Sequence, residues 1–367
     1  MKGVDCVATN STGEMKMNPI FTNSSNGAAA RGGERGERTE RMEGEYKDGN
    51  GVTWKYEEIE TGATCSIGPK DRTSVSGFVE IPGTLEVDGV SIKVVSIEEY
   101  AFSRCSGLKR VTIPGSVTKI GWGAFYGCSG LTSVTIPDGV TQIGERVFYG
   151  CSGLTSVTVP DGVTQIGSEA FKDCSGLTAV AIPNGVTQIG WGAFYGCSGL
   201  MGVSIPDGVT DIGDGAFAWC NVMEVTIPSS VKRIGWGAFS GCRGLNAVYW
   251  LVGDGCSVGF GVFDEIASPA TLYVRQGEKA IIEGNGEMWW AKEYFSAIVE
   301  GYVVTFTDSD GNKLGEQLVK PNGTVTEPAA PIKEGFTFEE WQLGGKKYDF
   351  SKPVMKNIKL LAVWKKK

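Results

Sequence analysis

Histidine is absent from the 367 residues of the chain. Its absence removes the commonest general base, the usual partner of a serine or cysteine nucleophile, and the commonest metal ligand. Any catalytic mechanism would have to work with carboxylates, lysine or tyrosine alone.

Long apolar runs are also missing. No stretch reaches the roughly 18 residues that a membrane-spanning helix needs, so no membrane insertion is expected. The first 30 residues contain no apolar core of a signal peptide. The net charge of −8, without clustered lysine and arginine, argues against nucleic acid as a partner.

The start of the chain has little to bury. Residues 1–50 are polar and glycine-rich, which predicts a disordered leader or linker. Alternating apolar residues come next, from Trp54 and Tyr56 to Cys65 and Ile67. They predict a β-hairpin around the Thr61-Gly62 turn. We assign residues 51–95 to an N-terminal cap and the start of a first coil.

An internal repeat dominates the middle of the chain. The sequence LTSVTIPDGVTQIG at 131–144 returns at 154–167 with one change, Ile136 to Val159. Proline keeps the same phase, and regularly spaced turns account for the 54 glycines. Seven cysteines recur every 23 residues, with a last step of 22: Cys105, Cys128, Cys151, Cys174, Cys197, Cys220 and Cys242.

Each repeat predicts one coil of a solenoid. Leu154, Val157 and Val159 should face inward from a short strand that Pro160 ends, because proline cannot donate to a β-ladder. A single coil buries too little apolar surface to fold alone. Stacking on neighbouring coils supplies the missing packing and backbone hydrogen bonds. We predict such coils over residues 96–250.

The units LTSVTIPDGVTQIGERVFYGC and LTAVAIPNGVTQIGWGAFYGC resemble the BspA-like leucine-rich repeats of bacterial surface proteins. The resemblance covers about residues 51–300. It implies a β-dominated leucine-rich-repeat horseshoe with short helical segments. Residues 251–300 would form a degenerate last coil and a C-terminal cap, with a helical stretch near 289–298.

Residues 301–367 form a different unit. The pattern of Gly335, Phe336, Phe338 and Trp341, followed later by Trp364, is similar to a Listeria–Bacteroides repeat, the internalin-type B repeat. That resemblance implies a small α+β, β-grasp-like domain of secreted and cell-wall-associated bacterial proteins.

The aligned cysteines allow a disulfide or metal interpretation as well as a packing one. No C-x-x-C motif is present, and no histidine could complete a zinc site. Their Cβ vectors should also run parallel into the core rather than toward each other. We therefore predict free thiols that act as small core hydrophobes.

The outward strand positions predict a ligand-binding face that is small, hydroxylated and nearly uncharged. A merely solvated sheet is the alternative, although solenoids often bind partners through such surfaces. The predicted residues are Thr135, Thr158, Ser204, Thr226, Tyr249, Thr132, Thr155 and Thr178.

A second candidate surface is an aromatic edge. Three tryptophans occupy the position after the Ile-Gly pair, where other coils have polar residues. Exposed aromatics can anchor a protein partner or, as a weaker possibility, stack on sugars; packing between coils is the alternative. The edge comprises Trp122, Trp191, Trp236, Tyr126, Tyr149 and Tyr195.

Together the two resemblances imply a non-enzymatic, adhesin-like binding protein, secreted or at the cell surface, that recognises a protein such as one of the host extracellular matrix or cell surface. No substrate, cofactor or metal is called for. Two alternatives stay open. The absent signal peptide and free thiols also suit an intracellular interaction scaffold, and the aromatic edge suits carbohydrate binding. No sorting signal is visible in the chain.

Overall fold

The computed structural model describes residues 43–60, 63–253, 255–284 and 289–367. Contacts divide the chain into two compact units, one ending at Leu200 and one running from Met201 to Lys367. Residues 1–42 and the Thr61-Gly62 turn lie outside the described residues.

Three antiparallel strands begin the first unit and form one side of a six-stranded mixed sheet. The predicted hairpin is confirmed, because β2 (Thr53–Glu60) pairs with β3 (Thr64–Pro69). The prediction of disorder up to residue 50 is wrong at its end. Residues Glu43–Lys47 form β1, which pairs with β2 and lays Gly44 against the ring of Tyr56. Composition alone missed this short strand.

The first unit then forms its coils. Short parallel strands pair with the strand one repeat away, for example β9 with β11 and β10 with β12. Between Thr178 and Ile182 the outer sheet is reduced to a single bridge at Ala181. The remaining strands of this unit are β4 (Gly77–Glu80), β5 (Thr84–Val87), β6 (Val90–Ile97), β7 (Leu108–Thr112), β8 (Lys119–Ile120), β9 (Ser133–Thr135), β10 (Gln142–Ile143), β11 (Ser156–Thr158), β12 (Gln165–Ile166) and β13 (Gln188–Ile189).

Glycine lets successive coils approach closely after each Ile. A Cβ on Gly167 would lie 2.8 Å from the backbone of Ile143 and Gly144 in the preceding coil. The amide of Gly167 donates to the Ile143 carbonyl over 2.8 Å. The Ile-Gly pair of the repeat is therefore a requirement of coil stacking.

Stacked phenylalanines fill the centre. In the first unit the rings of Phe102, Phe125, Phe148 and Phe171 follow one another at 5.1, 5.5 and 5.3 Å, nearly parallel. The leucine and valine positions predicted to face inward are buried, including Leu154, Val157 and Val159. The inward pattern is confirmed.

The second unit continues with the same kind of coil. One set of strands, β14, β16 and β18, pairs in parallel and is called the inner strands. A second set, β15, β17, β19 and β20, also pairs in parallel and is called the outer strands. Its elements are β14 (Asp211–Ile212), β15 (Glu224–Ile227), β16 (Arg233–Ile234), β17 (Ala247–Trp250), β18 (Ser257–Val258), β19 (Thr271–Arg275), α1 (Glu278–Gly284), α2 (Trp289–Tyr294), β20 (Ala297–Thr307), β21 (Lys313–Val319), β22 (Phe336–Leu343), β23 (Lys346–Lys347) and β24 (Ile358–Lys366).

The β-dominated leucine-rich-repeat fold with short helical segments is confirmed, and the described residues contain two short helices, α1 and α2. The coils themselves change direction through two turn positions with left-handed backbone. Helix α2 lies in the predicted place but ends at Tyr294, and Ile298 belongs to β20. No helix in the described part of the chain is long and apolar enough to cross a membrane.

Strand β20 connects the last coil to the C-terminal strands. Residues 297–301 pair in parallel with β19 of the last coil, and residues 302–307 pair with β21. The C-terminal strands lie in the order β21-β20-β24-β22, with β20 and β24 parallel. Their buried core includes Val304, Trp341 and Leu360.

The α+β prediction for residues 301–367 differs from the structure, which shows strands only in this fully described segment. Pro321, Pro328 and Pro331 interrupt the connection from β21 to β22, where a helix would lie. The comparison with a β-grasp stays a prediction.

Candidate functional site

The threonines of the predicted ligand face are tied to the backbone. The hydroxyl of Thr155 donates to the carbonyl of Thr132 over 3.1 Å, and that of Thr132 to Lys109 over 3.0 Å. Thr178 repeats the contact to Thr155 at 3.4 Å. All three side chains are exposed. Their protons serve coil stacking, which leaves oxygen lone pairs for a ligand.

The other residues of the predicted ligand-binding face lie in both units. In the first unit, Thr135 and Thr158 are exposed partners in the β9–β11 register. In the second unit, Ser204 is exposed, whereas Thr226 and Tyr249 are half-buried neighbours on β15 and β17. The hydroxylated character persists, but a large aromatic side chain enters it at Tyr249.

The second unit carries a methionine–tyrosine patch, formed by Met201, Met223, Tyr249 and Tyr273 at the outer strands. Met201 and Met223 are 55% and 51% exposed on adjacent coils, joined by a backbone hydrogen bond of 3.1 Å. The rings of Tyr249 and Tyr273 stack at 4.8 Å. Sequence reasoning overlooked Tyr273, although it keeps the outward phase of the repeat.

Burial raises the pKa of Tyr249 to about 12, with the nearby Glu224 and Tyr273 adding to the effect. The phenol therefore stays neutral at physiological pH. It offers a flat apolar face with a hydroxyl at its tip.

Lys172 contacts three residues of the predicted aromatic edge. Its ammonium lies 5.4 Å from the ring of Tyr149, 5.5 Å from Trp191 and 5.1 Å from Tyr195. Such cation–π contacts order the side chains around the charge. Trp191 is nevertheless 51% exposed.

The other edge residues are spread out. Trp122 is half-buried, with its ring 4.7 Å from Tyr100 and 5.4 Å from the guanidinium of Arg146. Tyr126 stacks on Tyr149 at 4.8 Å. Trp236, in the second unit, is 66% exposed. Its contact is with the exposed Phe260, at 6.4 Å.

The first unit contains an open depression of about 580 Å³, here the arginine–tyrosine depression. Tyr126 and Tyr149 of the predicted edge line it, together with Ser103, Glu169 and four further side chains. Every lining side chain ends in a polar group. The additional residues are Arg72, Tyr100, Arg104 and Arg146.

Glu169 is the buried anchor of the depression. Its carboxylate accepts hydrogen bonds from Arg146 and, over 2.7 Å, from Lys172. Burial disfavours the ionised form, but these two bonds outweigh it and hold the pKa of Glu169 below its ordinary value. Glu169 therefore stays ionised near neutral pH and forms a fixed charged network with Arg146 and Lys172.

Four lining residues have left-handed backbone. The φ angles are 53° for Tyr100, 62° for Arg104, 56° for Arg146 and 53° for Glu169. Among the eight described coils, glycine occupies the first of these two turn positions in five and the second in four, as at Gly123, Gly127, Gly150, Gly192 and Gly196. Non-glycine residues cost on the order of 1 kcal/mol there.

Sequence reasoning missed Arg72, Arg104 and Arg146. The available signal was the loss of a repeat glycine at Arg104 and Arg146, since a side chain replaces glycine at a strained position there. Arg72 precedes the regular repeats and carried no comparable signal.

The cysteines of the stack are free and buried among the described residues. Burial raises the pKa of Cys105 and Cys242 to about 12. The described residues contain no cluster of cysteine, aspartate and glutamate that could hold a metal ion.

Comparison with known families accounts for both parts of this architecture. The family described as BspA type leucine rich repeat region matches in six copies over residues 86–197 and 118–246. Residues 302–363 match the Listeria-Bacteroides repeat domain. The chain carries BspA-type leucine-rich repeats and one Listeria-Bacteroides repeat.

Solved structures of bacterial leucine-rich repeat proteins are similar to this chain. A leucine rich cell surface protein from Faecalibacterium prausnitzii is 27% identical with a TM-score of 0.53, over 70% of this chain and 72% of that one. A leucine-rich repeat protein from Bacteroides ovatus gives 22% and 0.42 over 67% and 74%. One from T. pallidum gives 28% and 0.40 over 55% and 81%.

Proposed function

We propose that this BspA-type repeat protein is a non-enzymatic binding protein, secreted or displayed at the cell surface, whose methionine–tyrosine patch contacts a protein partner. The observation that carries the proposal is the exposure of Met201 and Met223 on adjacent coils. Because the two side chains lie on adjacent coils they give neighbouring exposed apolar surface, and contiguous apolar surface is typical of interaction sites.

The chemistry of the patch favours a protein. Methionine adapts to irregular apolar surfaces, and tyrosine presents a rigid face with a polar tip. The stacked pair Tyr249–Tyr273 is held by neighbouring strands and loses little entropy on binding. The threonine columns would form the surrounding polar rim.

The location rests on relatives. The Faecalibacterium prausnitzii protein is described as a cell surface protein, and it shares the fold at 27% identity. The partner proposed for this chain is correspondingly an extracellular one, such as a host extracellular-matrix or cell-surface protein.

Binding can be measured with the full chain and a panel of immobilised, purified extracellular-matrix proteins. We expect saturable binding to at least one, weakened about 10-fold or more in the double variant Met223→Ser/Tyr249→Ala. Thr118→Ala is the matched control, since Thr118 is exposed and only donates to the carbonyl of Val95. Equal loss in both variants, or no binding to any protein of the panel, would contradict the proposal.

Cell fractionation separates the proposal from an intracellular scaffold. We expect the native protein in the culture medium or among proteins labelled on intact cells by a membrane-impermeant reagent. Recovery from the cytosol alone would support the intracellular alternative.

A further inference from the structure

The arginine–tyrosine depression is separate from the methionine–tyrosine patch and has different chemistry. Its lining combines three arginines with one glutamate, a net charge of two positive at neutral pH. The whole chain carries −8. A cationic hollow in an acidic protein selects for anions by electrostatic focusing.

Two of the arginines are available to a ligand. Arg146 is occupied by Glu169 and also lies 3.5 Å from the carboxylate of Glu145. Arg72 and Arg104 are exposed, and among the described residues neither has a carboxylate oxygen within 4.0 Å, although Arg72 lies near enough to Glu98 to interact with it electrostatically. A guanidinium group without a carboxylate partner offers a planar fork that matches sulfate or carboxylate oxygens.

Of these two arginines, Arg104 also has a left-handed backbone, whereas Arg72 does not. Arg104 has φ 62° at a turn position where the next two coils have Gly127 and Gly150. Its side chain lies over the neighbouring coil, because a Cβ on Gly127 would meet Arg104 Cγ at 3.4 Å. Such strain occurs at ligand sites, but Asp173, Trp219 and Glu265 share it at the equivalent position outside the depression, so the site rests on the charge and lining of the depression rather than on strain.

The remaining groups favour a sugar. Tyr100, Tyr126, Tyr149 and Ser103 contribute hydroxyls to the lining, and no aliphatic side chain is present. Hydroxyls and a carboxylate can exchange hydrogen bonds with saccharide hydroxyls. An acidic peptide could use the same arginines and hydroxyls, so a tetraglutamate peptide is included in the test as the competing ligand.

We propose that the arginine–tyrosine depression binds an anionic saccharide, with Arg72 and Arg104 holding its sulfate or carboxylate group and the tyrosine hydroxyls contacting the ring. This site goes beyond the proposed function and does not depend on it.

The test is calorimetric titration of the full chain with defined probes. These are a sulfated heparin tetrasaccharide, its desulfated form, a hyaluronan tetrasaccharide bearing carboxylates only, inorganic sulfate, and a tetraglutamate peptide. We expect the sulfated or the carboxylate tetrasaccharide to bind. Because heparin also carries carboxylates, loss of binding in the desulfated form would identify sulfate as the bound group, and retained binding together with binding of hyaluronan would identify carboxylate. Preference for the peptide, or binding of none of the saccharides, would overturn the proposal.

Variants locate the site. Arg72→Ala and Arg104→Ala should each weaken binding about 10-fold or more, the usual effect of losing a charge-assisted contact. Arg110→Ala is the matched control, because Arg110 is an exposed arginine of β7 outside the depression. An equal loss in this control would show non-specific charge attraction and overturn the site.

A glycine variant guards against misfolding. Arg104→Gly should leave the thermal midpoint unchanged or raised, since glycine tolerates the left-handed backbone, and should still weaken binding about 10-fold or more. Glu265→Gly makes the same backbone change at φ 53° in the second unit and should not alter saccharide binding. Full affinity in Arg104→Gly would overturn the role of Arg104.

Discussion

The thiol of Cys151 donates a hydrogen bond to the backbone carbonyl of Phe125, 26 residues earlier, over 3.1 Å. The same contact joins Cys174 to Phe148 and Cys197 to Phe171 at 3.1 Å. Each cysteine therefore links its coil to the preceding one beside the phenylalanine stack. The sulfur packs as a hydrophobe and satisfies a buried carbonyl at the same time.

Replacing Cys151 should remove both of these contributions. We expect Cys151→Ala to lower the free energy of unfolding by about 1–3 kcal/mol, because both the hydrogen bond and the packing of the sulfur are lost. Cys256→Ala is the control, since its half-exposed thiol contacts only the carbonyl of Ser257 at 3.8 Å. Urea unfolding measures both; equal effects would contradict a specific role for the ladder.

The buried thiols should make stability fall at high pH. Burial raises the pKa of Cys65, Cys105 and Cys242 to about 12, above the ordinary thiol value of 9.0. Between these values the unfolded chain releases protons that the folded chain retains, so the free energy of unfolding falls as pH rises above about 9. Urea unfolding from pH 7.5 to about 10.5 checks this; a flat profile would contradict it.

The reactivity of the thiols toward alkylating reagents should also follow their burial. Cys256 is half-exposed, and burial raises its pKa only to about 11. In a Cys6→Ser background we expect Cys256 to be alkylated first, and the stack thiols only on unfolding. Peptide mapping by mass spectrometry identifies the modified residue, and early modification of Cys151 would be inconsistent with the stack.

The buried residues of the coils could be predicted from the sequence, because the same inward-facing positions recur in every 23-residue repeat. Leu154, Val157 and Phe171 face inward for reasons local to one unit and its neighbours. The arginine–tyrosine depression could not be predicted so directly, since Arg72 and Glu169 come from different coils and lie 97 residues apart in number. The lining of such a site depends on how the side chains of stacked coils lie beside one another, and the repeat pattern does not give those positions.

Deleting one whole coil should preserve the fold. Removal of residues 152–174 joins Cys151 to Ser175 in phase, and the phenylalanine stack can close over the gap. We expect a cooperative unfolding transition at a somewhat lower temperature, because one nearest-neighbour interface and the Arg146–Glu169 pair are lost.

The matched deletion of residues 163–174 removes half a coil and breaks the phase of the repeat. We expect it to abolish the cooperative transition in calorimetry. Similar transitions for the two deletions would show that coil phase does not determine stability.

Truncation after Glu300 should destabilise the second unit. The cut falls inside β20, removing both its pairing with β21 and the ion pair of Arg275 with Glu316 at 3.1 Å. We expect a lower thermal midpoint and more self-association, because a sheet edge becomes exposed. Arg275→Ala alone should have a smaller effect. An unchanged midpoint in the truncated protein would mean that the last coil does not need the C-terminal strands.

Glu169 should contribute stability that acid removes. Its pKa is held below the ordinary value, so the contribution is complete above about pH 4.5 and is lost as pH falls through the lowered value. Glu169→Gln should cost about 1–3 kcal/mol at pH 7, since Arg146 and Lys172 lose their shared carboxylate, and should flatten the acid limb of the stability profile. Glu145→Gln removes a half-exposed partner 3.5 Å from Arg146 and should cost under about 0.5 kcal/mol. Equal costs would mean that burial of Glu169 adds nothing to the pair.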